Sequence, residues 1–196
     1  MKTIREVNMG NRQKDFRLGV LHGKIKPEKD VCEAKLRNKI FLHKRIVIKR
    51  SCNPNQNTHV RLFAYEMPLE DTTRGNCVDL VGYDKDHNLY LIELKQDKST
   101  QKLSKAIEEI NGYEKIVKDI KGKIKQDFEK TFYFPIQFKA IRKIILAPRG
   151  YYRKKTPEGK NKDTTIEYLY FGDESVINRG LEQEEDWGPI FVHVEK

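Results

Sequence analysis

Residues 77–95 read CVDLVGYDKDHNLYLIELK, and the way this stretch folds decides how the rest of the chain is read. Cys77–Asp84 and Asn88–Lys95 are short apolar-rich runs separated by Lys85, Asp86 and His87, with the turn formers Asp84 and Asn88 at the edges. That pattern predicts a tight β-hairpin. Side chains alternate along a strand, so Glu93 and Lys95 share one face of the second strand while Ile92 and Leu94 take the other. Asp86 lies midway between Asp79 and Glu93, so a symmetrical hairpin sets those two acids directly across from each other, with Cβ atoms about 4.5–5.5 Å apart. Two carboxylates and one lysine therefore converge on one patch.

Like charges held directly across a hairpin are destabilising unless something offsets them. A divalent cation does so, and an all-oxygen donor set of Asp79, Glu93, the Leu94 carbonyl and waters favours Mg²⁺ or Mn²⁺. Lys95 beside such a metal is placed to orient an attacking water or to stabilise charge at phosphorus. The Glu-any-Lys spacing occurs three times, at Glu33/Lys35, Glu93/Lys95 and Glu158/Lys160. Only the middle pair closes an apolar strand with an acid opposite; the first sits on a predicted helix, where residues two apart do not share a face. A plain Glu93–Lys95 surface pair is the competing reading.

Upstream, Lys29 to about His43 reads as a helix begun near Pro27, Ser51–Asn57 as a loop, and HVRLFAYE (59–66) as a strand. Downstream, Ser99 or Thr100 caps a helix whose apolar residues Leu103, Ile107, Ile110, Tyr113, Val117, Ile120 and Ile124 keep helical spacing. AIRKIIL (140–146) then reads as a strand reached by a parallel crossover. IEYLYF (166–171) is a strand or short helix, and IFVHV (190–194) a terminal strand. The expected class is α/β, a mixed central sheet flanked by helices. One domain is expected over 1–196, with a core at about 29–148, a mobile basic loop at 149–163 and a C-terminal extension at 164–196.

The quoted hairpin resembles the core of the PD-(D/E)XK nuclease superfamily, whose signature is an acid on one strand and an acid, any residue and a lysine on the next. The resemblance runs over roughly Lys29 to Pro148. It implies a restriction-endonuclease-like αβββαβ core with C-terminal additions, and a Mg²⁺-dependent nuclease that hydrolyses phosphodiesters by metal-activated water. Asp79 and Glu93 would hold the metal and Lys95 would be the catalytic lysine. The family's first helix often adds an acid, for which Glu33 is the candidate unless it simply pairs with Arg37; Glu66, closing the preceding strand, is the alternative. Many members carry a glutamine and a tyrosine four apart on the helix after the lysine. Here those positions are Glu109 and Tyr113, a departure that separates the chain from that subgroup. The expected substrate is nucleic acid, most naturally DNA; a homodimer is the arrangement many nucleases of this size use to cut both strands. A catalytically silent module of the same fold that binds nucleic acid or a protein partner is the runner-up.

The 196 residues carry a net charge of +10, and 35% are charged against a usual quarter or so. The charge is uneven: from Ala34 to Tyr65 there are eight Lys and Arg and no acid. A second cluster holds Arg149, Arg153, Lys154, Lys155, Lys160 and Lys162 beside Tyr151 and Tyr152. Both read as polyanion-facing surface, with Arg149, Arg153, Lys154 and Lys155 as candidate nucleic-acid contacts; Tyr113 is a further candidate only through the resemblance, and a core role for it is equally expected. Three separated cysteines and five scattered histidines predict neither a disulfide framework nor a zinc site. The opening residues carry Arg5, Arg12, Lys14 and Arg17 without an apolar run, so a secretory signal is not expected and the expected compartment is the cytoplasm. No run is long and apolar enough for a membrane span.

Overall fold

The computed structural model describes residues 33–50, 54–69, 77–155, 163–171 and 190–194. Its elements are α1 (Glu33–Leu42), β1 (Arg45–Lys49), β2 (Thr58–Pro68), β3 (Cys77–Tyr83), β4 (Leu89–Leu94), α2 (Leu103–Phe132), β5 (Ile141–Pro148), α3 (Arg149–Lys155), β6 (Ile166–Phe171) and β7 (Ile190–Val194). The expected hairpin forms, with β3 and β4 antiparallel from Leu80↔Ile92 to Tyr83↔Leu89. Asp84 fixes its register. The carboxylate accepts from the Asp86 and Asn88 amides at 2.9 Å, from Asn88 Nδ2 at 2.8 Å and from the Tyr90 hydroxyl at 3.0 Å. Burial alone would raise the Asp84 carboxyl, but these donors outweigh it and hold it below its ordinary range.

β2 pairs with β3 through a register shift between Leu62 and Ala64. Gly82 is required there: a Cβ on it would stand 2.7 Å from both the Arg61 carbonyl oxygen and Val60 Cγ1. Further along, Tyr65↔Leu80 and Met67↔Val78 leave Glu66 beside Asp79, with Glu66 at a left-handed φ of 44°. Such a backbone is strained for a residue with a side chain.

α2 carries β4 over to β5, which runs parallel to it from Leu89↔Ile141 to Leu94↔Leu146. The helix begins at Leu103, after Lys102, rather than at a Ser99 or Thr100 cap. Ser99 instead closes a turn, its amide donating to the Gln96 carbonyl and its Oγ accepting from the Gln101 amide. Residues 29–32, the expected start of the first helix, lie outside the described residues.

The expected open, restriction-endonuclease-like sheet is not what forms. The seven strands close into a barrel in the order β1-β2-β3-β4-β5-β6-β7. β7 completes it, antiparallel to β6 and parallel to β1 from Ile46↔Ile190 to Lys49↔His193. An open sheet would leave β1 and β6 as edges with unpaired backbone groups beside Ile46, Ile48, Leu169 and Phe171; the alternating IFVHV strand pairs with both. Segment 164–196 therefore supplies β6 and β7 to the barrel itself, not an appendage to a finished core.

Two apolar clusters follow from the alternation of side chains. One gathers residues from all seven strands, among them Ile48, Leu62, Leu80, Ile92, Leu146, Leu169 and Val192, with Leu36, Ile40 and Phe41 of α1. The other lies on the opposite strand faces, where Val81, Leu91 and Ile145 meet Ile110, Val117, Ile124 and Phe128 of α2. Residues 149–155, expected as part of a mobile loop, form α3 instead. Tyr151 and Tyr152 bury their rings, and the Tyr152 hydroxyl donates to the Ile145 and Leu169 carbonyls. Lys160 and Lys162 lie outside the described residues. No helix among the described residues is long and apolar enough to cross a membrane.

Candidate functional site

Three strands bring three acids abreast. Continuing the β3–β4 register one step past Leu80↔Ile92 sets Asp79 beside Glu93, and β2 places Glu66 on the other side of Asp79. α1 lays Arg37 across the first two, with Nη1 at 2.9 Å from Asp79 Oδ1 and Nη2 at 2.5 Å from Glu66 Oε1. The other Asp79 oxygen accepts from the Leu94 amide at 2.9 Å, which ties the acid of β3 to the backbone of β4. Lys95 follows β4, its amide bonded to the Leu146 carbonyl, and its ammonium reaches Glu93 Oε1 at 2.5 Å, Glu109 Oε2 at 3.6 Å and Glu33 Oε1 at 3.9 Å. Gln101 Nε2 donates to both Glu109 oxygens, and the Tyr151 hydroxyl donates to the Gln101 carbonyl. Five carboxylates thus surround two cations.

The burial is deep for charged groups: Asp79, Glu93 and Lys95 are 8%, 4% and 3% exposed. Desolvation, with Asp79's charge added, holds the Glu93 carboxyl well above its ordinary range even against Lys95. Burial also raises Glu33, which Lys95 only partly offsets. For Lys95 the balance tips the other way. Burial alone would lower its proton affinity, but the charge and hydrogen bond of Glu93, with Glu33 and Asp79 behind it, raise it. Lys95 is therefore a fixed cation and a hydrogen-bond donor, not a base.

Comparison with family models, with curated proteins and with solved structures returns no match.

The geometry of the cluster is thus what bears on function. The structure brings together Asp79, Glu93, Lys95, Leu94, Glu66 and Glu33 from the sequence reading. It does not pair Glu33 with Arg37 one helical turn away: Arg37 turns to Glu66 and Asp79, and Glu33 faces Lys95. Tyr113 is 7% exposed and packs in the α2 cluster close to Glu93, Glu109 and Asp79, which raise its phenol together with burial. It supports the site from beneath and is not an exposed contact for nucleic acid. Arg149 stacks over Tyr170 at 5.2 Å, Arg153 is exposed, and Lys154 and Lys155 end α3. Arg37, Glu109, Gln101 and Tyr151 join the site without having been assigned to it from sequence. Glu109 had one legible sign, an acid four residues before Tyr113 on the helix face that meets β4.

No group of three or more His, Cys, Asp or Glu among the described residues is spaced to share an ion. The donor chemistry fits one nonetheless. Glu93 Oε2 is buried without a hydrogen-bond partner, and an acceptor in that state lacks only a cation or donor. Asp79 and Glu93 supply the one or two carboxylates that Mg²⁺ takes while keeping most of its waters. Arg37 holds one Asp79 oxygen in the state described.

Proposed function

We propose that this cluster is the centre of a divalent-metal-dependent nuclease acting on phosphodiesters of nucleic acid, DNA first among them. The observation that carries the reading is the buried, unpartnered Glu93 Oε2 inside a ring of five carboxylates and two cations. Asp79 and Glu93 would hold Mg²⁺ or Mn²⁺, with Glu66 or Glu33 near enough in the ring to join them. The cation would supply the charge that polarises the phosphate and lowers the pKa of water. The protein's own groups divide the remaining work. Lys95, kept protonated, donates to a phosphoryl oxygen as negative charge grows on it, the kind of fixed electrostatic contribution that lowers barriers most. Glu109, held by Gln101, and Glu33 fix the ammonium from two other sides, so that it does not have to be oriented when substrate arrives.

The assay is cleavage of plasmid and oligonucleotides with Mg²⁺ or Mn²⁺, comparing the wild type with Glu93→Gln, Asp79→Asn and Lys95→Met. Each should lower the rate by at least about 10²-fold, the scale on which a placed charge or proton-transfer group acts. Cleavage that survives all three substitutions overturns the assignment. One observation favours the second reading, a module that binds nucleic acid without turnover: Arg37 occupies Asp79, as a permanent counter-ion would in a site that takes no metal. Binding of DNA without cleavage in either metal, and without any Mn²⁺ uptake by calorimetry, would select it.

A further inference from the structure

At the far end of the same strands the charges are reversed. Arg45 and Arg61 sit directly opposite one another in the antiparallel β1–β2 ladder, both exposed. Like charges in that position destabilise a sheet, and neither guanidinium has an ion-pair partner among the described residues. Both line two adjoining hollows of about 560 and 420 Å³, which also share Tyr83 and Phe134. Each hollow is of the size that takes a small organic ligand. Asp84, which lines the larger hollow, does not neutralise the arginines, because its carboxylate is turned inward to Asp86, Asn88 and Tyr90. Asp86 stands at the rim beside Lys85, with His59 and His87 completing the wall.

The aromatic side of the hollow is as unusual as the basic side. Phe134 is 47% exposed, and follows Tyr133, which ends α2 in a left-handed conformation with φ 53°. The Ile136 amide bonds to Glu129 Oε1 and anchors the segment that presents the ring. Behind it Tyr83 packs edge-on against Phe128 at 5.4 Å, a rigid backing for a flat ligand.

We infer that this hollow binds a nucleoside monophosphate unit, with the phosphate between Arg45 and Arg61 and the base against Phe134 and Tyr83. Paired guanidinium forks match phosphate oxygens, and an exposed ring beside them accepts any base face. The acid cluster cannot serve as this site. Asp79 lies four residues from Tyr83 along β3, on the order of 13 Å away at strand rise. The inference does not depend on the proposed cleavage activity, since it concerns binding at the other end of the sheet.

The test is calorimetry on the full chain, in a chelator so that no cleavage intervenes. The probes are inorganic phosphate, a nucleoside, the four nucleoside 5′-monophosphates, and a short single-stranded oligonucleotide with and without a 5′-phosphate. At least one monophosphate should bind about tenfold more tightly than phosphate or nucleoside alone, with Arg61→Gln and Phe134→Ala each weakening it by a similar factor. Arg61→Gln should also leave the melting temperature unchanged or higher, because it removes a like-charge pair; Arg45→Gln repeats the test from the other strand. Competition by the 5′-phosphorylated oligonucleotide alone identifies a strand end as the source of the ligand, and competition by neither oligonucleotide identifies a free nucleotide. Monophosphates that bind no better than phosphate, or variants that bind as the wild type does, overturn the inference.

Discussion

Replacing Lys95 with methionine should destabilise the protein more at pH 7 than at pH 5. Methionine keeps most of the apolar stem, so the change is chiefly the loss of a buried charge. Three carboxylates lie within 3.9 Å of the ammonium, but Glu33 and Glu109 have side chains 33% and 25% exposed and keep part of their contact with water, whereas Glu93 is 5% exposed. Without Lys95 the cheapest course for Glu93 is to take up a proton. Protonating a carboxyl of ordinary value 4.5 costs on the order of 3 kcal/mol at pH 7 and under about 1 kcal/mol at pH 5, and because burial already raises the Glu93 carboxyl in the wild type those figures are ceilings on what the loss of Lys95 adds. The sign follows from linkage: a carboxyl raised on folding destabilises above its folded pKa and contributes nothing below its unfolded one. The loss in the variant should therefore be larger at pH 7, where it stays under about 3 kcal/mol or about 6–12 °C in melting temperature, than at pH 5, where it falls below about 1 kcal/mol. Urea unfolding of both proteins at the two pH values, in a chelator, measures it. A loss of equal size at both would show that packing, not charge, is what Lys95 contributes, and the electrostatic account of the site would fail.

Arg37→Met leaves Glu66 and Asp79 side by side without their shared cation, so it should cost about 1–3 kcal/mol in metal-free buffer and tighten Mn²⁺ binding measured by calorimetry. Gly82→Ala should cost about 1–3 kcal/mol by forcing β3 off the Arg61 carbonyl, whereas Gly122→Ala, where a Cβ meets nothing within 4 Å, should add about 1 kcal/mol by helix propensity; thermal denaturation separates the two. Asp84→Ala should cost on the order of 2–3 kcal/mol, since the buried Tyr90 hydroxyl loses its acceptor, and should speed amide exchange at Asp86 and Asn88. Because the Asp84 carboxyl is held below its ordinary value of 3.8, its advantage over asparagine should be full near pH 6 and vanish as the pH falls below that value.

The parts of the fold legible in the sequence are those set by local rules. The hairpin at 77–95, α2, β5 and β6 announced themselves through turn residues and periodicity, and Asp79, Glu93 and Lys95 converge because alternation along a strand is a matter of parity. β1 was not legible, since RIVIK is five residues long and lies inside a basic run. Its partners explain it: Ile46 and Ile48 join a cluster fed by strands from every part of the chain. Closure was not legible either, because pairing residue 46 with residue 190 depends on the whole sheet having curved first. α3 was hidden by Gly150 and four cations, which read as loop. Gly150 is there because Asp97 occupies the space a Cβ would need, and the helix is held by two tyrosines reaching Gln101, Ile145 and Leu169. Helix rotation, which sequence alone does not give, decides that Arg37 meets Asp79 and that Glu109 meets Lys95.

The eight-cation run near the N-terminus shows why charge counts alone mislead. Arg37 goes inward to two acids, Arg50 bonds Glu167 at 2.7 Å, and Lys44 and Lys49 lie over the rings of Phe41 and Phe191. Arg45 and Arg61 are left facing each other with no ion-pair partner among the described residues, so the run does not form a continuous band. At the acid cluster the imbalance has the opposite sign, with five carboxylates, one of them on strained backbone at Glu66 and another at Glu93 resisting ionisation. Neither arrangement serves the barrel, whose closure depends on β7 and on clusters that these charges do not enter. A fold gains nothing by keeping like charges abreast on adjacent strands at both ends of one sheet, and apolar or oppositely charged residues at those positions would be more stable. Two opposite imbalances retained on one sheet are what a protein needs if it must hold a cation at one end and a phosphate at the other.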